Sequence, residues 1–217
     1  MSDRIIAIIP VKNFHYSKLR LAHILSDSER QKFAYLMLQD VLFTLKQIPS
    51  IIKIVITTPS DNILRFKDQK IKILVDSAPS INIALDNAIN YCKRFNASYF
   101  LILPSDIPLI NKQDIENMLE TKKKTNAQII IVPSNRNDGT NSLLFDADLK
   151  IKTFYGNDSF RKHISEFKNK FKVKIFNSFR IGLDIDYKDD LDALYKFTNC
   201  NKSLALSYLI SLNFNFT

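Results

Sequence analysis

The sequence predicts an α/β fold in which helices flank a mostly parallel central sheet. Short runs rich in Ile and Val alternate with segments of helical period, which is the rhythm of repeated β-α-β units. Apolar residues make up 46% and charged residues 24% of 217 residues, a balance that buries a substantial core and excludes a disordered or fibrous chain. Only three glycines occur, Gly139, Gly156 and Gly182, where average usage of about 7% would give roughly 15, so each is expected to have a backbone role. No interior linker rich in Pro, Gly or Ser and no repeat is visible. A single domain spanning 1–217 is expected.

The first strand is predicted over Ile5–Val11, an unbroken apolar run. Ser26 with Glu29 three residues on forms a capping box for a long helix, and Phe33, Leu36, Met37, Val41 and Leu45 share its buried face. Strands follow over Ile51–Thr58 and Ile71–Asp76, then a helix over Ile83–Phe95 and a strand over Tyr99–Pro104. Asp114–Lys123 has helical period, Gln128–Pro133 reads as a strand, and Ser142–Phe145 as a shorter one. Helices are predicted over Ser159–Phe171, Lys188–Phe197 and Leu204–Leu212, with a short strand over Val173–Phe176 between the first two.

No apolar run approaches the roughly 20 residues a bilayer span needs, and the N-terminus enters a strand without a cleavage site, so a cytoplasmic protein without membrane contact is expected. Cys92 and Cys200 stand alone, which predicts neither a disulfide nor a zinc site. The net charge of +9 is spread evenly, with 14 Lys/Arg against 9 Asp/Glu in 1–110 and 17 against 13 in 111–217. Without a basic tail or a nucleic-acid-binding motif, the charge suits small anionic substrates, and no nucleic-acid partner is expected.

In open α/β sheets ligands bind beyond the carboxyl ends of the strands, and four such places carry chemistry. Lys12, Lys18 and Arg20 put three cations on the loop after the first strand, which suits a polyphosphate or a solvated basic loop. Asp106 lies in Pro104-Ser105-Asp106-Ile107-Pro108, a place for a metal carboxylate or a turn residue. Asp184 and Asp186 project from one side of an extended segment and repel unless a cation sits between them. Hard oxygen donors without His or Cys suit Mg²⁺ or Mn²⁺. Asp189 and Asp190 read as acidic residues in a helix's first turn. Finally, Asp138-Gly139-Thr140-Asn141 and Gly156-Asn157-Asp158-Ser159 offer amides and hydroxyls for an anion, or serve as turn and cap residues. A Gly-rich phosphate loop is absent, which disfavours P-loop and Rossmann dinucleotide chemistry.

In this order, Ile9-Pro10-Val11-Lys12 with Lys18 and Arg20, the Pro104–Pro108 motif, Asp138–Asn141, Gly156 with Ser159 and His163, and Leu183–Asp186 make the chain resemble the 2-phospho-L-lactate guanylyltransferase family of coenzyme F420 biosynthesis. The resemblance covers nearly the whole chain. It implies a GT-A-like nucleotidyltransferase fold and transfer of GMP from GTP to a small phosphorylated carboxylic acid, with release of pyrophosphate. The acceptor in relatives is 2-phospho-L-lactate, phosphoenolpyruvate or 3-phosphoglycerate. By resemblance Asp106, Asp184 and Asp186 hold Mg²⁺ or Mn²⁺, Lys12, Lys18 and Arg20 face the GTP phosphates, and Thr140, Gly156, Ser159 and Asn82 bind substrate. Three positions depart from the family: Ser80 and Asp158 replace glycines, and Leu19 replaces a serine. A same-fold enzyme acting on a sugar phosphate or molybdopterin, and a non-catalytic basic protein, remain as alternatives. The apolar stretch Phe197–Phe216 suits either a homodimer contact or a terminal helix packed on its own sheet.

Overall fold

The computed structural model describes residues 3–197 and 203–216; Cys200 lies outside them. Among the described residues seven strands form one sheet: β1 (Ile5–Pro10), β2 (Ile51–Thr58), β3 (Ile71–Val75), β4 (Tyr99–Ile102), β5 (Ile129–Pro133), β6 (Thr140–Asp146) and β7 (Val173–Ile175). Their spatial order is β3-β2-β1-β4-β6-β5-β7. All neighbours run parallel except β6, which is antiparallel to both β4 and β5.

Two α-helical layers cover the sheet because its side chains alternate. Ile5, Ala7 and Ile9 of β1 pack with Val41 and Leu45 of α1 (Asp27–Lys46) and Ile115 and Met118 of α3 (Lys112–Thr125). Ile6 and Ile8 face Leu85 and Ala88 of α2 (Ile81–Cys92) and Phe167 of α4 (Ser159–Phe167) on the other side. A third cluster joins Phe33 and Met37 of α1 to Leu191 of α6 (Lys188–Lys196) and Leu206 of α7 (Leu204–Ser211). The terminal helix thus packs within its own chain, on α1. Cys92 is buried.

The expected elements are all present, with shifts at their ends. The second helix ends at Cys92 rather than Phe95, and the fourth at Phe167 rather than Phe171. Phe95 and Phe171 still pack on the core beyond the helix ends, so the apolar period outruns the helix. A four-residue helix, α5 (Phe179–Gly182), and three 3-10 turns at Phe14–Tyr16, Leu19–Leu21 and Asp61–Phe66 are additions.

Gly156 has φ of +123°, a conformation that favours glycine. At Gly182 a Cβ would meet Asn135 Oδ1 at 2.2 Å and the Pro133 carbonyl at 3.2 Å, so only glycine lets the chain pass. Gly139 is a correction: a Cβ there would make ordinary contacts of 3.6 Å or more, and no special backbone role follows.

Candidate active site

The strand order reverses at β1, whose connection leads one way to β2 while β4 lies on its other side. Chains leaving β1 and β4 therefore diverge at their carboxyl ends, and the crevice between them is where such sheets bind ligands. A cavity of about 540 Å³ opens there. Lys12 and Lys18 wall it from the loop after β1, Thr57 and Thr58 from the end of β2, and Ser80 from the start of α2. Asp106 follows β4, Thr140 and Asn141 begin β6, and Asp184 and Asp186 close the far side.

The three predicted aspartates come together although 78 residues separate Asp106 from Asp184 in sequence. The Ile185 amide donates to the Asp106 carbonyl at 3.1 Å, which pins the two segments to each other. Leu183 and Ile185 are buried, so the alternating Asp184 and Asp186 turn towards the cavity. The segment is extended, not a ladder strand.

Lys18 is the centre of the cluster. Its ammonium lies 2.5 Å from Asp106 Oδ2 and 2.9 Å from Asp186 Oδ1, and its side chain is only 6% exposed. Burial pulls its pKa down, but the two carboxylates outweigh burial and hold it above the usual lysine range. Asp186 is the converse: burial raises it, yet Lys18 and, more weakly, Arg20 and Lys12 keep it below the carboxylate range. Asp184 is held above that range, by burial first and then by the charge of Asp106, while the Asn141 side-chain amide donates to it at 3.1 Å. Among the described residues no three His, Cys, Asp or Glu side chains form a ready metal-binding group. The ammonium bridges Asp106 and Asp186 and not the Asp184–Asp186 pair whose repulsion the sequence raised; Asp184 instead accepts from Asn141. The oxygen donor set itself suits a hard divalent ion.

Other predicted site residues do different work from that expected. Arg20 is absent from the cavity wall; it binds Asp186 at 3.2 Å from an exposed position. Asn82 mimics a backbone strand: its Nδ2 donates to the Tyr155 carbonyl at 3.0 Å and its Oδ1 accepts from the Tyr155 amide at 2.7 Å. Both ends of its amide are engaged, so it brackets α2 to the Phe154–Gly156 turn rather than facing the cavity. Ser159 is buried and accepts the Thr140 amide at 2.9 Å, while Gly156 shapes the turn and leaves the wall to Tyr155. Lys12 and Thr140 do reach the cavity.

His163 lies behind Thr140, fully buried, with its Nδ1 2.9 Å from Thr140 Oγ1. The Phe154 amide donates to His163 Nε2 at 2.9 Å, so in the neutral ring Nδ1 carries the proton. Thr140 Oγ1 then accepts from the ring, and its own proton is free for the cavity. Ser80 caps α2, its hydroxyl accepting the Ile83 amide at 3.3 Å. Asp158 sits at φ +55°, the left-handed region that glycine adopts without strain.

Arg136 was not legible in the sequence. It binds Asp190, stands 4.0 Å from Asp184, and shares the Tyr187 ring with Arg20, the two guanidinium carbons lying 4.6 and 4.7 Å from its centroid. Asp190 in turn accepts the Asp186 and Tyr187 amides at 2.9 and 2.8 Å, which fixes the Asp184–Asp186 segment. The first-turn reading of Asp189 and Asp190 holds, since both begin α6. Nothing local in the letters around Arg136 points to a partner 54 residues away.

The model of the family described as "guanylyl transferase CofC like" matches residues 5–217. The chain belongs to this family. A relative named 2-phospho-L-lactate guanylyltransferase from Methanosphaera stadtmanae is 31% identical over 217 residues, covering 97% of this chain and 91% of the relative. A relative of the same name from Methanobrevibacter ruminantium is 35% identical, over 87% of this chain and 84% of its own. A putative nucleotide-diphospho-sugar transferase from Desulfovibrio desulfuricans superposes with a TM-score of 0.79 at 17% identity, over 97% of this chain and 96% of its own. A 4-diphosphocytidyl-2C-methyl-D-erythritol synthase from Anaerococcus prevotii superposes at 0.60 and 13% identity, over 92% of this chain and 100% of its own. The structural similarity fixes the fold as that of nucleotidyltransferases of the GT-A-like kind.

Proposed function

We propose that the protein is a guanylyltransferase of the 2-phospho-L-lactate type, which moves GMP from GTP to the phosphate of a small phosphorylated carboxylic acid and releases pyrophosphate. Family membership supports the reaction class. The observation that carries the chemistry is the meeting of Asp106, Asp184 and Asp186 with Lys18 and Lys12 on one cavity at the sheet's switch point. Asp106, Asp184 and Asp186 would hold Mg²⁺ or Mn²⁺, which when bound screens the α-phosphate charge. No helix among the described residues is long and apolar enough to cross a membrane. A cytoplasmic site of action is part of this reading.

The chemistry fits these side chains. A phosphomonoester has a second pKa of about 6, so the acceptor oxygen is already a nucleophile near neutral pH and needs no general base. That agrees with His163 being buried behind Thr140 and away from the reacting groups. The work left to the protein is to align two anions that repel each other. Lys12 and Lys18 draw the triphosphate to the loop after β1. Thr140, its hydroxyl proton freed by His163, donates to the acceptor acid. The neighbouring wall at Thr57, Thr58 and Ser80 receives the nucleoside.

Incubation with GTP and Mg²⁺ plus each of 2-phospho-L-lactate, phosphoenolpyruvate and 3-phosphoglycerate, followed by mass spectrometry, tests the reading. One acid is expected to give the guanylylated product with stoichiometric pyrophosphate, and Asp106→Asn or Asp184→Asn to lower kcat by roughly a hundredfold or more with the fold intact. Turnover with CTP or a sugar phosphate alone, or full activity in both variants, would contradict it.

A further inference from the structure

We propose that Lys18 is an internal counter-cation: it neutralises Asp106 and Asp186 in the free protein and leaves them when a divalent ion enters, turning its ammonium towards the substrate phosphates. This rests on the reading of the site as a metal-assisted guanylyltransferase and adds a coupling to it. Metal entry and presentation of the lysine are then one event.

The backbone on both sides of the cluster is fixed, and the long lysine stem is its most pliable part. Asp106 is pinned through its carbonyl to the Ile185 amide at 3.1 Å, and Asp186 through its own amide to Asp190 at 2.9 Å. The loop carrying Lys18 is held too. Buried Arg30 donates to the Ser17 carbonyl at 3.0 Å, and the Lys18 carbonyl accepts the Leu21 amide at 2.9 Å. Lys18 itself has φ of +56°, a backbone state that side chains seldom adopt and that surrounding contacts must impose. What remains free to change is the four-carbon stem.

Two carboxylates that share one ammonium repel each other once it goes, so it leaves only in exchange for another cation. A divalent ion bound by the same oxygens and an ammonium within 3 Å of both cannot coexist, because the two cations would be in contact. Lys18 already lines the cavity next to Lys12, so the displaced ammonium meets the incoming phosphates without loop movement. The cluster is thereby kept paired until substrate and metal arrive, and the free protein's metal affinity is lowered by the lysine it must displace.

Titration of the free protein with Mn²⁺, read by electron paramagnetic resonance of the unbound ion, tests this without turnover. Lys18→Met is expected to bind Mn²⁺ roughly tenfold more tightly or better than wild type, because the internal competitor is gone. Lys12→Met removes the same charge nearby but not the competitor, and is expected to gain only about twofold. Equal gains in the two variants, or no gain in Lys18→Met, would overturn the proposal. Should the Met variant fold poorly, the wild-type lysine ¹⁵Nζ spectrum decides: the Lys18 ammonium signal is expected to shift on saturation with Mg²⁺, and an unmoved signal would overturn it. The GMP-transfer assay stands apart from these readouts. A protein that transfers no GMP yet shows both metal effects would lose the substrate reading and keep the inference. One that transfers GMP without them would do the reverse.

Discussion

His163 shows how one buried side chain sets both a hydroxyl's direction and a pH limit. Burial pushes its imidazole down to about 4 from 6.5. Between these values the unfolded chain takes up a proton that the folded chain refuses. The stabilisation from the neutral ring is therefore complete above about pH 6.5 and is lost as pH falls towards 4, roughly 3 kcal/mol in all. Urea unfolding at stepped pH is expected to show wild type losing more stability over that window than His163→Gln, in which the acidic residues still contribute equally. Identical losses would contradict a buried imidazole held neutral over that window. The letters of this corner were readable as Thr140, Ser159 and His163, but their division of labour was not. A hydroxyl that faces a cavity and one that accepts a neighbouring amide look alike in a sequence; Thr140 lines the cavity and Ser159 accepts the Thr140 amide only because β6 and α4 meet there.

Elements with local signals are legible in the sequence. The capping box at Ser26 is formed as expected, with Ser26 accepting the Glu29 amide and Glu29 accepting the Ser26 amide. The helix α5 escaped because four residues hold no period. Its cap, Ser178 accepting the Ile181 amide, is the one local sign. Docking of α7 was also out of reach. It depends on Asp40, buried in α1, which accepts from the Ser203 hydroxyl at 2.7 Å and the Leu204 and Ala205 amides at 2.8 and 3.1 Å. Asp40→Ala strips the helix start of three acceptor contacts and its anion, and is expected to lower unfolding free energy by about 2–4 kcal/mol. Asp40→Asn, which keeps the shape, is expected to lose about half as much. Chemical denaturation measures both; a change under about 0.5 kcal/mol in the Ala variant would mean that α7 is held by apolar packing alone.

For the molecule as a whole, alternation of strand and helix was enough to give the sheet and its layers, because a parallel sheet leaves near-continuous apolar runs in the chain. The reversed direction of β6 was also encoded, in loop length: only Ser134–Gly139 separates it from β5, too short for a parallel crossover. Convergence at the site is the part that no local pattern contains. Asp106, Asp184 and Lys18 belong to three distant segments, and the switch point of the sheet brings them to one cavity. The even +9 charge agrees with a protein that gathers two anions without a dedicated basic face. The most direct measurement is anomalous diffraction from crystals grown with Mn²⁺ and a non-hydrolysable GTP analogue. The expected result is manganese bound by carboxylate oxygens of Asp106 and of Asp184 or Asp186, with the Lys18 ammonium moved onto phosphate. Manganese held by phosphate oxygens alone, with Lys18 still bridging Asp106 and Asp186, would contradict it.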